Sequence, residues 1–233
     1  MKLAIMQPYL FPYIGYFQLL KAVDKFVIYD NIKFTKKGWI NRNRILLNGT
    51  DGYITFPLKK DSDYLDVKDR YLADNYDHEQ KKILNKITES YRNAAQYKIV
   101  YPIIEECILS PEKNLFKFIL NSLEIIKKFI GIQTPLIISS TIPVNHELKA
   151  EQKVLAICKA MKANEYYNPI GGMEFYSTNS FKNEGIKLYF LRPTIQPYSQ
   201  LNHEFIPALS VLDIMMFNSK EQIQNMLHHY TLE

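Results

Sequence analysis

The sequence has few of the features that mark secreted, membrane-spanning or disulfide-rich proteins. Only two of its 233 residues are cysteines, and Cys107 and Cys158 lie in apolar, helix-like segments without a Cys-x-x-Cys pair. We therefore expect two reduced core thiols and a cytoplasmic location, because disulfide frameworks belong to oxidising compartments. No stretch reaches the roughly 18 apolar residues of a membrane span. Residues 3–6 are too few for the apolar part of a secretory signal, so we expect neither feature.

A strong charge of one sign and the common catalytic motifs are also missing. The chain carries 29 basic against 24 acidic residues, a net charge of +5. This bias is too weak and too scattered for a nucleic-acid-binding surface, so no nucleic-acid partner is expected. No Gly-x-Ser-x-Gly or Walker loop occurs, and none of the five histidines has a zinc-ligand spacing. His78, His146 and His203 are isolated and expected at the surface, and we predict no metal site.

The order of apolar segments predicts an α/β fold. Residues 2–6 and 25–29 have the pattern of buried strands around a helix at 13–23, a βαβ unit that implies a parallel sheet. Asn48 and Gly49, between strands at 45–47 and 53–57, predict a β-hairpin. Further predicted strands are 136–139, 165–167 and 187–191, and further predicted helices are 79–91, 100–109, 115–129, 150–161, 209–217 and 221–229. We predict a single domain over residues 1–233.

The first strand, loop and helix form the strongest candidate site. In open parallel sheets, ligands bind beyond the carboxyl ends of the strands, where the N-terminal end of the following helix also points. Gln7 ends the strand, Pro8 and Pro12 stiffen the loop, and Gly15 permits a close approach to the helix. The alternative is a stiff, well-packed crossover without a ligand.

Two further candidates follow the second strand. Asp30 could hold a metal, a ribose hydroxyl or a substrate amine, although a turn-forming role fits equally well. The segment 34–44, predicted as a polar loop, adds cations for phosphate and an indole for stacking. Alternatively, its tryptophan fills the core and its charges are solvated. The residues concerned are Lys37, Trp39, Arg42, Asn43 and Arg44.

Three later segments carry weaker signals. Ser139 and Ser140 follow a predicted strand and could cradle a phosphate or belong to an ordinary turn. Gly171 permits either close approach to a ligand or a tight turn. Ser210 is a polar candidate for the site, but it is also a plausible helix N-cap, which we favour.

Several of these residues form a recognisable pattern. An opening Gln-Pro and Pro-x-x-Gly-Tyr-Phe are followed by an Asp, a Trp, an Arg-Asn pair and a closing Tyr-x-Gln, Phe-x-Pro and Leu-Ser-x-x-Asp. The pattern comprises Gln7, Pro8, Pro12, Gly15, Tyr16, Phe17, Asp30, Trp39, Arg42, Asn43, Tyr198, Gln200, Phe205, Pro207, Leu209, Ser210 and Asp213. Over almost its full length the chain resembles the WbqC-like family of surface-polysaccharide biosynthesis proteins, including O-antigen proteins. The resemblance implies transfer of glycine, or another small acyl group, onto an amino sugar.

A looser resemblance concerns the first helix. Nucleotidylyltransferases and pantothenate synthetases hold ATP phosphates with a His-x-Gly-His motif there, and Tyr13-Ile14-Gly15-Tyr16 occupies the same slot. A later Ile-Ser-Ser-Thr element of those enzymes resembles residues 138–141. This likeness implies a Rossmann-like, nucleotidylyltransferase-like core that binds ATP with Mg. Tyrosine replaces both histidines, and a neutral phenol lacks the charge of an imidazolium.

We therefore expect an acyl or aminoacyl transferase that forms an amide on a nucleotide-linked amino sugar or another small molecule, with ATP and Mg as cofactors. A non-catalytic nucleotide-sugar binding protein and a nucleotidylyltransferase remain alternatives, and a homodimer stays open. The expected catalytic residues are Gln7, Tyr16 and Asp30. The expected binding residues are Pro8, Tyr13, Gly15, Lys37, Trp39, Arg42, Asn43, Arg44, Ser139, Ser140, Gly171, Tyr198, Gln200 and Ser210.

Overall fold

The computed structural model describes residues 1–201 and 204–233, so His203 lies outside the described residues. The described residues form eight strands: β1 (Lys2–Met6), β2 (Lys25–Ile28), β3 (Arg42–Leu47), β4 (Thr50–Thr55), β5 (Leu136–Ile138), β6 (Glu165–Pro169), β7 (Lys187–Pro193) and β8 (Tyr230–Leu232). They also form eight α-helices: α1 (Ile14–Ala22), α2 (Tyr76–Tyr91), α3 (Tyr97–Ile108), α4 (Leu115–Ile130), α5 (Ala150–Ala160), α6 (Thr178–Asn183), α7 (Val211–Phe217) and α8 (Lys220–Met226).

Six strands make a central sheet in the order β5-β2-β1-β6-β7-β8. All neighbours are parallel except β8, which pairs antiparallel with β7. Counted along the chain, the order is 3-2-1-4-5-6, the order of doubly wound nucleotide-binding sheets. The predicted α/β fold with a mostly parallel sheet is confirmed.

Helices cover both faces of this sheet because the central strands are apolar on both sides. Ala4 and Phe26 face a large core shared with α1, the helices of the insertion between β2 and β5, α7 and α8. Leu3 and Val27 face a second core against α5 and α6. None of the described helices combines the length and apolar character that crossing a bilayer requires.

The predicted hairpin is confirmed and is longer than expected. Asn48 and Gly49 both have positive φ, 49° and 78°, as a two-residue hairpin turn of this type requires. β3 begins at Arg42 and pairs with β4 as far as Thr55, so the predicted loop ends before Arg42. Residues 42–44 conceal this start because all three are polar, although the middle one, Asn43, is buried.

The C-terminus also differs from the prediction. The last helix, expected to reach His229, ends at Met226, and Tyr230–Leu232 adds β8 to the sheet. The Arg192 guanidinium of β7 pairs with the Glu233 carboxylate at 2.5 Å beside this strand. A three-residue strand at a chain end has too few residues to show a period in the sequence.

Candidate functional site

A wide cleft of the described residues lies at the carboxyl end of β1. From β1 the chain continues to β2 on one side, and β6 lies on the other side, so the strand order reverses between β1 and β6. Ligands of open α/β sheets bind at such a reversal. The cleft measures about 1200 Å³ and runs across the sheet edge between the two helical layers.

One wall comes from the first loop and α1. The Tyr16 hydroxyl donates to the Gln7 carbonyl at 3.1 Å and thereby ties the helix to the end of β1. A side chain at Gly15 would overlap the ring of Tyr13, so this glycine makes room for that ring at the helix start. Burial raises the pKa of Tyr9, Tyr13 and Tyr16, so these phenols stay neutral at physiological pH.

The hairpin is anchored to this wall by a buried amide. Asn43 donates to the carbonyls of Leu10 and Phe11 at 3.0 and 2.9 Å. The N–H of Leu10 donates to the carbonyl of Trp39 at 3.1 Å. These bonds place Trp39 beside the first loop, where it lines the cleft.

Cations line the cleft from three segments. Arg44 donates to an Asp51 carboxylate oxygen at 3.0 Å and to the Ala208 carbonyl at 3.3 Å, which fixes its guanidinium at the cleft wall. Lys33 and Lys149 also line the cleft. The positive groups and the N-terminal end of α1 together favour an anionic ligand.

On the opposite wall His146 is held by both ring nitrogens. Its Nε2 lies 3.1 Å from the Ile142 carbonyl, and its Nδ1 lies 2.9 Å from the Asn31 amide nitrogen. A carbonyl can only accept, so Nε2 carries the hydrogen and Nδ1 accepts from Asn31. The Asn31 Oδ1 is then buried without a hydrogen-bond partner among the described residues, and Asn31 lines the cleft. His146 is half-buried and lines the cleft.

Lys153 is the least expected residue of this wall. Its side chain is only 2% exposed, and its Nζ donates to the His146 carbonyl at 2.8 Å and lies 5.7 Å from the centroid of the Tyr29 ring. Burial lowers the pKa of Lys153, and nearby carboxylates, led by Asp66 and Glu147, oppose the shift. Within the described part of the chain no carboxylate oxygen lies within 4.0 Å of the Nζ.

Asp66 complements this amine. Burial raises the pKa of Asp66, the Asp69 carboxylate adds to the shift, and the ammonium groups of Lys68 and Lys153 oppose it. A cleft that lowers the pKa of an amine and raises the pKa of a carboxyl brings both groups closer to neutral pH, where proton transfer is most effective.

The end of β6 supplies the floor beside β1. Asn168 accepts from the Tyr166 hydroxyl at 3.1 Å and donates to the Pro169 carbonyl at 3.0 Å. A Cβ at Gly172 would collide with the Asn168 amide, whereas a Cβ at Gly171 would meet no atom within 4 Å. Gly171 therefore borders open space in the cleft. Among residues 1–201 and 204–233, no group of three or more His, Cys, Asp or Glu side chains is arranged to hold a metal ion.

The model of the WbqC-like protein family matches residues 7–225. The chain belongs to this family. It is also 28% identical, over 218 residues covering 92% of each chain, to the uncharacterized protein Rv1507c of Mycobacterium tuberculosis (strain ATCC 25618 / H37Rv). No solved structure matches the chain at a significant level.

The family motif spreads over more of the fold than the cleft. The predicted site residues that line the cleft are Gln7, Tyr13, Gly15, Tyr16, Trp39, Asn43, Arg44 and Gly171. Those that do not are Pro8, Asp30, Lys37, Arg42, Ser139, Ser140, Tyr198, Gln200 and Ser210. The assignment of Asp30 to catalysis, and of the others to substrate or nucleotide binding, stays a prediction, but their contacts in the WbqC-like fold are specific.

Asp30 and Ser140 bind each other. The N–H of Ser140 donates to one carboxylate oxygen of Asp30 at 2.8 Å, and its hydroxyl donates to the other at 2.6 Å. The turn expected to cradle a phosphate therefore holds a carboxylate of the chain itself, which fastens the end of β2 to the end of β5. Ser139 is buried, and its hydroxyl has no partner among the described residues.

Tyr198 and Gln200 belong to a buried network around Asp213. The Asp213 carboxylate accepts from Tyr91 at 2.9 Å, from Tyr198 at 2.5 Å and from Gln200 at 2.7 Å. Tyr91 in turn accepts from the N–H of Leu46 at 2.9 Å. The network joins α2, β3, α7 and the segment before α7 away from the cleft.

The remaining residues shape the backbone of the two loops. Ser210 caps α7 by accepting from the N–H of Leu212, as favoured from the sequence, and it donates to the Phe11 carbonyl at 2.8 Å. The Arg42 guanidinium donates to the main-chain carbonyls of Lys37 and Gly38. The Lys37 side chain itself is exposed. Pro8 is buried in the first loop.

Sequence reasoning missed Asn31, Asp66, His146 and Lys153. Each is a single polar residue without a local motif, and they come together only through the tertiary fold. A signal was available for Lys153: it lies one helical turn before Ile157 and therefore shares a face of the predicted helix with that apolar residue. A charged residue on such a face is buried only with a specific reason.

Proposed function

We propose that this WbqC-like protein is an enzyme of surface-polysaccharide biosynthesis that forms an amide between a small carboxylic acid, such as glycine, and the amino group of a nucleotide-linked sugar. The observation that carries this proposal is the pairing of two unlike walls in one cleft. One wall offers Trp39 and Arg44, and the other offers Lys153 and Asp66 with pKa values shifted toward neutrality. The free, buried thiols of Cys107 and Cys158 support the expected cytoplasmic location.

The size of the cleft suits two reactants. Sites for one small molecule usually measure about 300–1,000 Å³. The 1200 Å³ of this cleft therefore leave room for a nucleotide-linked sugar together with a small acyl donor. The two walls also differ in their ionisable groups, since Arg44 stands on one, and the carboxylates Asp66 and Glu147 stand with the amine of Lys153 on the other.

The chemistry requires a proton acceptor near the amino group. The amine nitrogen attacks the carbonyl carbon of the activated acid, a C–N bond forms, and the C–O bond to the leaving group breaks. The amine proton passes to a base, for which Lys153 in its neutral form and the Asp66 carboxylate are the candidates. The unpartnered Asn31 Oδ1 is suited to accept a hydrogen bond from the attacking amine.

The expected cofactor is ATP with Mg, which would supply the activation of the acid. The donor set fits phosphates, because Lys33, Arg44 and residues at the start of α1 line the same cleft and offer positive charge there. Mg usually binds through one or two carboxylates together with phosphate oxygens and water. Glu147 lines the cleft and is the carboxylate we assign to that role, because Asp66 is a candidate base.

The direct test is incubation of the purified protein with ATP, isotope-labelled glycine and a panel of nucleotide-linked amino sugars, followed by mass spectrometry. We expect an ATP-dependent product with the summed mass of acid and sugar less one water. Asp66→Asn should reduce its formation at least tenfold, and Asp74→Asn, which removes an exposed carboxylate outside the cleft, should not. Absence of product across the panel would argue against the proposal.

A non-catalytic nucleotide-sugar binding protein is the second candidate. It is favoured by the engagement of both His146 ring nitrogens and by burial, which raises the pKa of Cys107 and Cys158 to about 12. Neither the histidine nor the thiols are therefore poised as base or nucleophile. Thermal stabilisation by nucleotide sugars without any product would favour this function. Pyrophosphate release from a nucleoside triphosphate and a sugar phosphate would instead indicate a nucleotidylyltransferase.

A further inference from the structure

Trp39 is the single tryptophan of the chain and a large apolar side chain left open in the cleft. It lines the cleft with 39% of its surface exposed. The neighbouring Ile40 is 1% exposed and fills the core at this point. The alternative that Trp39 plugs the core is therefore wrong, and its exposure asks for another explanation.

The Trp39 indole packs against the ring of Tyr53. Its ring stacks on Tyr53 of β4 with centroids 6.3 Å apart and an interplanar angle of 24°. The Arg42 guanidinium lies 4.4 Å from the centroid of the Tyr53 ring, and its Nε donates to the Gly38 carbonyl at 3.2 Å. Tyr53 and Arg42 thus fix the orientation of the Trp39 ring without a ligand.

The main chain of Trp39 is fixed as well. Its carbonyl accepts from Leu10, whose own carbonyl accepts from the buried Asn43 amide. A preorganised ring loses little conformational entropy when a second ring stacks on it. The cleft therefore presents a rigid aromatic surface at the same wall as the Arg44 guanidinium.

We propose that Trp39 is the stacking platform for the nucleobase of a nucleoside diphosphate ligand, whose phosphates lie toward Arg44. This inference rests on the proposed function only for the expectation that a nucleotide is bound. A base is favoured over a sugar ring because the Trp39 and Tyr53 planes are nearly parallel, so a flat ring continues the stack. The cations on the cleft wall match the charge of the diphosphate.

Trp39 reports on its own occupancy because the chain has no other tryptophan. We propose fluorescence titrations with ADP, UDP, CDP and dTDP, and with pyrophosphate, ribose 5-phosphate and free hexosamine as ligands without a base. We expect saturable quenching by at least one nucleoside diphosphate and none by the ligands without a base. Equal quenching by the hexosamine would show that the platform binds sugar and would overturn the inference, as would the absence of quenching by every nucleoside diphosphate.

Calorimetric titration of variants supplies the second readout. Stacking of one base on an aromatic side chain corresponds to about a 5- to 100-fold change in affinity. Trp39→Ala should weaken nucleoside diphosphate binding by this factor, and Trp39→Phe should retain most of it. Tyr71→Ala, which removes a 48% exposed ring that does not line the cleft, is the matched control and should bind as the wild type. Unchanged affinity in Trp39→Ala would contradict the inference.

The two proposals fail separately. Transfer activity that persists without loss of affinity in Trp39→Ala would remove the platform and leave the transferase. Quenching and its loss in the variant, without any transfer product, would leave the platform and support a binding protein.

Discussion

Replacing Lys153 with methionine separates a functional from a structural role for this buried amine. The side chain is 2% exposed, and its one hydrogen bond, at 2.8 Å, is to the His146 carbonyl. A buried ammonium group without a close carboxylate costs the fold several kcal/mol of desolvation. Buried lysines with a structural role are ordinarily paired with a carboxylate. A buried lysine that lacks such a partner and lines a cleft therefore points to a functional role.

The expected effect on stability follows from opposing contributions. Methionine keeps the apolar stem and removes the desolvation cost, which stabilises the fold. It also loses the bond to His146, worth about 1.5–3 kcal/mol for a charged donor, and the contact with the Tyr29 ring, worth about 0.5–2 kcal/mol. We expect a net change between zero and about 2 kcal/mol in favour of the variant. At about 2–4 °C per kcal/mol, the Tm should stay or rise by up to about 8 °C.

The difference in stability between the wild type and Lys153→Met should depend on pH in a defined direction, which an effect of packing alone would not. Burial lowers the pKa of Lys153 in the folded protein, so the folded state binds this proton more weakly than the unfolded chain. The cost of the buried charge is therefore complete below the folded pKa. It disappears as pH rises from there toward the unfolded value of about 10.4. The advantage of Lys153→Met should shrink over that window.

Thermal or urea unfolding of both proteins at several pH values measures these effects, and the transfer assay measures loss of activity. Lys98→Met, which replaces an exposed lysine of α3, is the control and should leave stability and activity within error. A loss of 3–5 kcal/mol in Lys153→Met, the cost of breaking a buried ion pair, would refute the reasoning. It would show that Lys153 is a structural cation.

Three further substitutions test the cleft and its support. Gly171→Phe should abolish ligand binding in calorimetry with an unchanged Tm, because its side chain enters open space, while Gly171→Ala should bind normally. Gly15→Ala should weaken binding because its Cβ displaces the Tyr13 ring, and the cost of that displacement should offset the gain of up to about 1 kcal/mol in helix propensity. Asp213→Asn should cost about 1–3 kcal/mol, because its amide faces hydrogen-bond donors such as Tyr198. Burial raises the pKa of Asp213 above its ordinary value of 3.8. The wild type therefore loses stability as the pH rises from 3.8 through the raised pKa of the folded state. Unfolding measured at several pH values should show no such loss for Asp213→Asn.

Local patterns predicted most of the fold because most of its elements have a local cause. The Asn48-Gly49 turn requires positive φ at two successive residues, and few other dipeptides accept this. Gly131 ends α4 with a φ of 84°, a left-handed conformation that glycine adopts without strain. The reversal of strand order between β1 and β6 had no such local cause, because it depends on which strands pair across long connections.

The candidate site was predicted only where its residues are neighbours in sequence. Gln7, Tyr13 and Gly15 follow one strand, and the rules for parallel sheets place them at its carboxyl end. The partner of Asp30 is Ser140, 110 residues away, and no property of Asp30 alone distinguishes a ligand contact from this internal bond. Lys153 was missed for the same reason: it lies on another element, and no property of the residue alone marks it as part of the site.

The two walls of the cleft can be tested separately, because we assign binding of the substrate to one and proton transfer to the other. Trp39 and Arg44 belong to the insertion between β2 and β5, whereas Lys153 belongs to the crossover helix α5, and each set is fixed by its own hydrogen bonds. A change on one wall should therefore leave the other intact. We expect Trp39→Ala to raise the KM of the nucleotide-linked sugar with little change in kcat, and Lys153→Met to lower kcat with little change in that KM. If both variants changed both constants alike, the walls would act as one unit and the division of binding and proton transfer between them would be wrong.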